Sequence, residues 1–179
     1  MSSLILFNKP YGVICQFSPS DGKPTLKDFI AIPDVYPAGR LDTDSEGLVL
    51  LTADGGLQHR ISDPQHKLGK SYWVQVEGIA NHQALEALRN GLDMGDFVSQ
   101  AAKVKAIEEP IELWPRVPAI RERKNSPTSW LEIEISEGKN RQVRRMTAKV
   151  GLPTLRLIRH RIGSWDVSGL APGQWRFSA

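Results

Sequence analysis

The 179-residue chain is 40% hydrophobic and 24% charged, a composition that excludes a disordered segment and a coiled coil and is typical of a globular protein. No apolar run approaches the ~20 residues that a membrane span needs, and a single cysteine, Cys15, excludes an internal disulfide and a cysteine-based zinc site. The N-terminus lacks the features of a secretion signal, so we expect a cytoplasmic protein without membrane association.

Charge is distributed unevenly along the chain. Residues 1–120 contain 11 Lys and Arg against 15 Asp and Glu, a net charge of −4, whereas residues 121–179 contain 12 against 5, a net charge of +7; the two sum to +3. A basic C-terminal third indicates a polyanionic partner. A solvated basic face would explain the charge alone equally well.

Apolar periodicity and turn residues predict the secondary structure. In chain order the predicted elements are strand 4–7, strand 13–17, helix 26–30, strand 48–51, helix 56–62, strand 70–78, helix 82–89, strand 97–107, an edge strand near 116–122, strand 129–136, helix 140–150, strand 153–164 and strand 175–177. Strands outnumber helices and come in runs without regular β-α-β alternation. This predicts an α+β fold with a mixed, largely antiparallel central sheet and flanking helices. We expect one domain over residues 1–179.

The stretch Tyr36–Gly56, YPAGRLDTDSEGLVLLTADGG, carries the most information on function. Its apolar run Leu48–Leu51 predicts a strand covered on both faces. A short polar connection that contains Arg40 and Asp42 leads into this strand. Buried strands commonly hold reactive groups in place on such connections.

The acidic side chains of this stretch allow three interpretations. The first is that Asp42, Asp44 and Glu46 cap turns and face water, as most acidic clusters do. The second is calcium, which we exclude because the twelfth position of an EF-hand loop starting at Asp42 is Ala53 and a strand follows instead of a helix. The third is a resemblance: GRLDTDSEGLVLLTADG resembles the signature of pseudouridine synthases that modify ribosomal RNA, in the branch of the small-subunit-A and large-subunit-B, E and F enzymes.

A basic segment over residues 139–161 contains eight Lys or Arg and no acid. Helical periodicity places Val143, Met146, Thr147 and Val150 on one side of the helix. The cations Arg141, Arg144, Arg145 and Lys149 lie on the other. Periodicity alone favours a solvated basic face. However, the predicted helix itself contains no acid that could pair with the arginines at i±4, and RNA phosphates would supply the missing counter-charges.

Two further motifs resemble the same family: Asn8-Lys9-Pro10 near the start, and EGKNRQVRRM over residues 137–146. The resemblance therefore extends over nearly the whole chain. It implies a pseudouridine synthase catalytic fold that isomerises a specific uridine in ribosomal RNA, in the 23S RNA of the large subunit, without cofactor or metal. It further implies no separate N-terminal RNA-binding module, and a monomer is the default state.

The resemblance also assigns roles to individual residues. Asp42 is the nucleophile that attacks the target nucleotide, at the sugar or at the base. Arg144 is the cation that keeps Asp42 ionised. Tyr72 stacks on the flipped uracil and assists removal of the C5 proton, although two valines on the same face also suit a core aromatic.

The predicted RNA contacts include Arg40, which fills the gap left when the target nucleotide swings out. The complete predicted RNA-binding set is Arg40, Lys139, Arg141, Arg145, Lys149, Arg156, Arg159 and Arg161. The four histidines show no metal-ligand spacing, so no metal site is predicted. Two alternative functions remain: a non-catalytic ribosome-associated RNA-binding protein on the same scaffold, and a pseudouridine synthase that acts on transfer RNA.

Overall fold

The computed structural model describes residues 3–66, 68–122 and 125–178. Within these residues the chain forms nine strands, three α-helices and two short 3-10 turns. The strands are β1 (Leu4–Lys9), β2 (Tyr36–Pro37), β3 (Glu46–Thr52), β4 (Lys70–Glu77), β5 (Lys103–Ile107), β6 (Thr128–Ile135), β7 (Thr154–Ile162), β8 (Trp165–Asp166) and β9 (Trp175–Phe177). The helices are α1 (Gly55–Ser62), α2 (His82–Asn90) and α3 (Gln142–Lys149), and the 3-10 turns span Leu26–Asp28 and Pro64–His66.

The chain divides into two compact units. The first consists of Met1–Leu68 and Arg159–Ala179, and the second of Gly69–Ile158, so strand β7 contributes residues to both. In the first unit the strand order is β7-β3-β1-β9, with β2 paired to β3 and β8 to β7. In the second unit the order is β5-β6-β4-β7.

Strand β3 lies at the centre of the first unit. All seven of its residues are buried, and it pairs antiparallel with β1 in a register that places Phe7 opposite Val49. Val49 packs in a core with Phe7 and Leu26, whereas Leu48 points to the opposite face and is also fully buried. The predicted strand covered on both faces is therefore confirmed.

The second unit is organised around the antiparallel pair β4 and β6, in which Tyr72 lies opposite Ile133. Alternate residues of β6 are buried in the core. On the opposite face, Glu134 lies 3.4 Å from the amine of Lys103, and Glu132 lies 3.5 Å from the amine of Lys105 on the neighbouring strand. The alternation in this segment thus predicts both the buried and the polar face correctly.

Helix α2 begins where the sequence predicts and ends one residue later, at Asn90. The Asn81 side chain accepts a hydrogen bond of 2.8 Å from the amide of Ala84 and so caps the first turn. The apolar side of the helix is buried through Ala84, Leu85 and Leu88. Gly91 ends the helix with a φ of 91°, a conformation that residues with a side chain rarely adopt.

The predicted strand at residues 13–17 is wrong. Its backbone groups bond to turns rather than to a neighbouring strand: the amide of Ile14 donates to the carbonyl of Pro24, and the carbonyl of Gln16 accepts from Leu26. A single bridge between Ile14 and Thr25 is all that remains of a ladder in this segment. The apolar residues of the segment are buried without forming a strand, and hydrophobicity alone cannot distinguish the two arrangements.

Strand β5 is shorter than predicted, because it begins at Lys103 rather than at residue 97. The preceding residues close a tight loop. The amide of Ser99 donates to the carbonyl of Leu92, and the amide of Leu92 donates to the Ser99 hydroxyl.

The predicted edge strand near residues 116–122 is also absent from the structure. Pro115 and Pro118 cannot donate a ladder hydrogen bond. The Arg116 side chain instead donates to the carbonyl of Pro118 within the same loop.

The sheet is mixed and largely antiparallel and is accompanied by three helices, so the predicted α+β class is confirmed. Among the described residues no helix is long and apolar enough to cross a membrane.

We expect Asn81→Ala to lower the free energy of unfolding by about 1 kcal/mol, because the amide of Ala84 would lose its capping acceptor. Urea denaturation of both proteins measures the difference. Gln83→Ala, an exposed change in the same helical turn, is the matched control and should leave the stability within about 0.5 kcal/mol. Equal losses in the two variants would contradict the capping role.

Candidate active site

The Asp42 loop, defined here as residues 39–45, connects β2 to β3 in the first unit. Leu41 is buried in the core of this unit, while Arg40 is exposed and Asp42 is half-buried. The carbonyl of Asp42 accepts a 3.0 Å hydrogen bond from the amide of Ser45, which closes a turn. The loop therefore anchors one apolar side chain and leaves the Arg40 and Asp42 side chains at least partly accessible to solvent.

The fully buried side chain of Lys9 holds this loop from within the first unit. Its amine donates to the carbonyls of Pro10 at 2.9 Å, Val13 at 2.8 Å and Thr43 at 3.3 Å. The amide of Gly12 donates to the same Thr43 carbonyl at 2.8 Å. The sequence offered Lys9 only as part of a family motif, and periodicity gave no signal that its amine would be buried.

Burial lowers the pKa of Lys9 from 10.5 to about 8, because the charged amine has left water. The acidic groups of Cys15, Glu46, Asp44 and Asp42 act in the opposite direction but do not compensate. The amine that binds the Asp42 loop therefore loses part of its charge at a pH only slightly above the physiological range.

Arg159 also binds the Asp42 loop, contrary to its expected place on an exposed basic surface. Its side chain is buried; Nε donates to the carbonyl of Leu48 at 3.0 Å, and Nη1 lies 3.4 Å from the carbonyl of Arg40. Arg156 in the second unit is similarly buried and donates to the carbonyl of Trp114 at 2.8 Å. An arginine whose guanidinium is buried and donates to backbone carbonyls in the interior is poorly placed to bind a phosphate.

Tyr72 lies on β4 of the second unit and is buried in its core with Val74 and Val76. Arg144 lies in the same unit, on helix α3, and is half-buried. The shared face of the tyrosine and the two valines is confirmed. The roles of Tyr72 and Arg144 in catalysis stay predictions.

Helix α3 has the two faces that its periodicity predicts. Val143, Met146 and Thr147 are buried. The predicted RNA-binding cations of this region are exposed or half-exposed; they are Lys139, Arg141, Arg145 and Lys149. Arg161, on β7 in the first unit, is exposed and lies 3.9 Å from Asp166.

Arg145 has an acidic partner that sequence spacing could not reveal. Its guanidinium binds both carboxylate oxygens of Asp96, at 2.5 and 3.2 Å, although the two residues are 49 positions apart. The hydrogen bonds from Arg145 lower the pKa of Asp96, and the same pairing raises that of Arg145. The neighbouring ring of Phe97 lies 5.3 Å from the Arg145 guanidinium and 5.8 Å from the amine of Lys139.

The turn that leads into α3 is built by two polar residues of the EGKNRQVRRM segment. Gln142 is buried; its amide donates to the Glu137 carboxylate at 3.0 Å, and its carbonyl oxygen accepts from the amide of Lys139 at 3.1 Å. The same oxygen of Glu137 accepts from the amide of Gln100 at 2.8 Å. These side chains therefore shape the turn that precedes the basic helix.

Comparison with known proteins decides the family. Residues 3–149 match the family described as RNA pseudouridylate synthase. The chain belongs to this family. It is 56% identical over 175 residues to "Ribosomal large subunit pseudouridine synthase E" of Xanthomonas campestris, a match that covers 97% of this chain and 94% of the relative. It is 52% identical to the protein of the same name from Vibrio parahaemolyticus, and this match covers 97% of this chain and 72% of the relative.

A solved structure described as "Crystal structure of pseudouridylate synthase" has the same fold. It superimposes with a TM-score of 0.81 at 29% identity over 100% of this chain and 71% of the other. As an RNA pseudouridylate synthase, the chain is an isomerase that converts uridine in RNA to pseudouridine. The resemblance inferred from the sequence motifs is thereby confirmed at the level of family, fold and reaction.

We expect the contribution of Lys9 to the stability of this synthase to depend on pH. Below pH 8 its amine is charged in both the folded and the unfolded chain. Between pH 8 and 10.5 the unfolded chain binds more protons, so raising the pH through this window favours the folded state. Relative to Lys9→Met, the wild-type protein should gain up to about 3 kcal/mol of unfolding free energy across the window.

Urea unfolding of both proteins at several pH values within and below this window measures that gain. Lys23→Met, which changes an exposed lysine of the same unit, is the control and should show no such change. A pH-independent difference between wild type and Lys9→Met would contradict the lowered pKa.

Proposed function

We propose that this synthase isomerises a specific uridine in the 23S ribosomal RNA of the large subunit. Support for the substrate comes from the Xanthomonas and Vibrio relatives, whose names specify the large ribosomal subunit and which match nearly the whole chain at 56% and 52% identity. We propose further that it acts as a cytoplasmic monomer, and that both units belong to one catalytic domain.

Asp42 forms a transient covalent bond to the target nucleotide in the proposed mechanism. The bond from N1 of the base to C1′ of the sugar breaks, the base turns, and a bond from C5 to C1′ forms. C5 loses its proton and N1 gains one, so the product is an isomer of the substrate and no cofactor is consumed. The support for Asp42 is its position: a half-buried carboxylate on a loop whose backbone is fastened by Lys9 and Arg159.

Arg144 and Tyr72 assist Asp42 in this proposal. Arg144 supplies the positive charge that keeps the carboxylate ionised and therefore nucleophilic. Tyr72 stacks on the uracil and assists removal of the C5 proton. The support for Arg144 is its place in the EGKNRQVRRM segment, and the support for Tyr72 is the resemblance of its position to that of the family's strand tyrosine. Tyr72 also has the fixed orientation that a packed core provides.

The RNA is held by exposed cations rather than by the whole basic segment. We retain Lys139, Arg141, Arg145, Lys149 and Arg161 as phosphate contacts because their side chains reach solvent. Arg40, exposed two residues before Asp42, fills the space left by the extruded nucleotide. The buried Arg156 and Arg159 are left out of this set.

We expect Asp42→Asn to abolish isomerisation while RNA affinity changes little, because the variant loses one charge at the reacting centre and no phosphate contact. Tritium release from C5-labelled uridine in ribosomal RNA measures the activity, and a filter-binding titration measures the affinity. Asp34→Asn is the matched control: it removes one exposed acid in the same unit, at a positive φ of 61° that asparagine tolerates, and should leave the activity unchanged.

Mapping pseudouridines in cells with and without the gene tests the substrate. We expect one 23S position to lose its modification and to regain it with the wild-type gene but not with Asp42→Asn. Loss of a transfer RNA modification instead would redirect the proposal to that substrate, and full activity of Asp42→Asn would refute the nucleophile.

We expect Asp96→Asn and Arg145→Gln to change RNA binding in opposite directions. Asp96 competes with phosphate for Arg145, so its loss should strengthen binding a few-fold at low salt, whereas Arg145→Gln should weaken binding and reduce the salt slope by about one. Affinity measured as a function of salt concentration gives both values. Lys105→Gln, an exposed change on β5 of the same unit, is the control and should leave the slope unchanged.

A slope that stays constant in Arg145→Gln would return helix α3 to the interpretation of a solvated basic face.

A further inference from the structure

Arg159 is a buried cation that the reaction as described above does not use. Its guanidinium lies in the first unit, where Nε donates to the carbonyl of Leu48 and Nη1 lies 3.4 Å from the carbonyl of Arg40. The third nitrogen, Nη2, is buried and has no hydrogen-bond partner within the described residues 3–66, 68–122 and 125–178. Buried donors are nearly always satisfied, so an unsatisfied one on this side chain is unusual.

The backbone of Arg159 is held as closely as its side chain. A Cβ atom on Gly47, which has a φ of +111°, would lie 2.2 Å from the carbonyl oxygen of Arg159. Only glycine permits this approach at the start of β3. The guanidinium is therefore delivered to the Asp42 loop from the neighbouring strand β7 at a fixed distance.

The contacts distinguish two roles for Arg159. A phosphate ligand must reach solvent, but only 5% of this residue is exposed, and two of its nitrogens point at backbone carbonyls. The side chain instead joins the buried strand β3, through Leu48, to the carbonyl of Arg40, which lies two residues before Asp42. This is the connection expected of a residue that orients a reactive loop.

We propose that Arg159 is a positioning residue for the Asp42 loop, which sets the direction of Arg40 and Asp42 toward the target nucleotide; this inference rests on the proposed role of Asp42 as nucleophile. Lys9 fastens the carbonyl of Thr43 on the other side of Asp42, so the nucleophile lies between two tethers to buried cations.

The test uses Arg159→Met and Arg159→Lys in the full chain, with single-turnover rates measured at saturating ribosomal RNA. Methionine removes every donor, and we expect the rate constant to fall by about 10- to 100-fold, since small misplacements of reacting groups have effects of this size. The RNA dissociation constant should stay within about twofold of the wild-type value and the salt slope should be unchanged.

Arg159→Lys separates positioning from simple core stability. Lysine keeps a cation that can donate to the carbonyl of Leu48, but its single nitrogen cannot also reach Arg40. We expect this variant to melt close to the wild-type temperature and still to lose several-fold in single-turnover rate. It also decides the question if the methionine variant fails to fold, and full activity of Arg159→Lys would overturn the proposal.

Two comparisons make the remaining outcomes informative. Arg161→Gln, on the same strand but exposed, is the reference for a phosphate contact; a loss of affinity and salt slope in the Arg159 variants that matches this reference would overturn positioning in favour of RNA binding. Asp42→Asn is assayed in parallel. If it is inactive while the Arg159 variants are fully active, only the positioning inference fails; if it is active, the proposed nucleophile fails whatever Arg159 does.

Discussion

The hydrogen bonds between buried cations and backbone carbonyls are the interaction on which the geometry of the first unit depends. Lys9 binds three carbonyls, one of them that of Thr43 in the Asp42 loop. Taking an amine out of water is unfavourable, as its lowered pKa of about 8 records, and hydrophobic side chains would stabilise the interior more simply. A buried cation, however, fixes the orientation of the backbone carbonyls to which it donates, which an apolar contact cannot do. A loop that presents a reactive carboxylate benefits from this fixed direction more than from additional stability.

The same physics explains why not every cation of the basic segment faces solvent. The sequence contains eight cations between residues 139 and 161, but whether each one faces water is decided by distant partners. Arg159 bonds to Leu48, 111 positions away, and Arg156 to Trp114, 42 positions away. The acid that pairs with Arg145 is equally remote in sequence. Local spacing is therefore a reliable guide to helix faces and a poor one to the partners of arginines.

Secondary structure was predictable where a periodic pattern and a cap agreed. Strand β3 and helix α2 follow from an uninterrupted apolar run and from Asn81 followed by a helical repeat. The failures have one cause: the segments 13–17 and 116–122 have strand-like residues, but turns, prolines and side chains determine where their backbone bonds go. The candidate nucleophile was accessible to sequence reasoning because its motif is contiguous. The tethers of its loop were not, because they are assembled from residues far apart in the chain.

The segment EGKNRQVRRM, which leads into α3, contains both polar residues that shape the backbone and cations that are exposed to solvent. Gln142 and Glu137 are bonded to each other and to backbone amides, so they shape the turn. Arg141, which immediately precedes Gln142 at the N-terminus of the helix, adopts a left-handed conformation with φ of 53°, which is unfavourable for a residue with a long side chain. The unfavourable backbone conformation of Arg141 is explained if the direction of its side chain matters more than the conformational energy of its backbone. The turn and the helix then act together: the buried amide fixes the backbone, and the fixed backbone aims the exposed arginines.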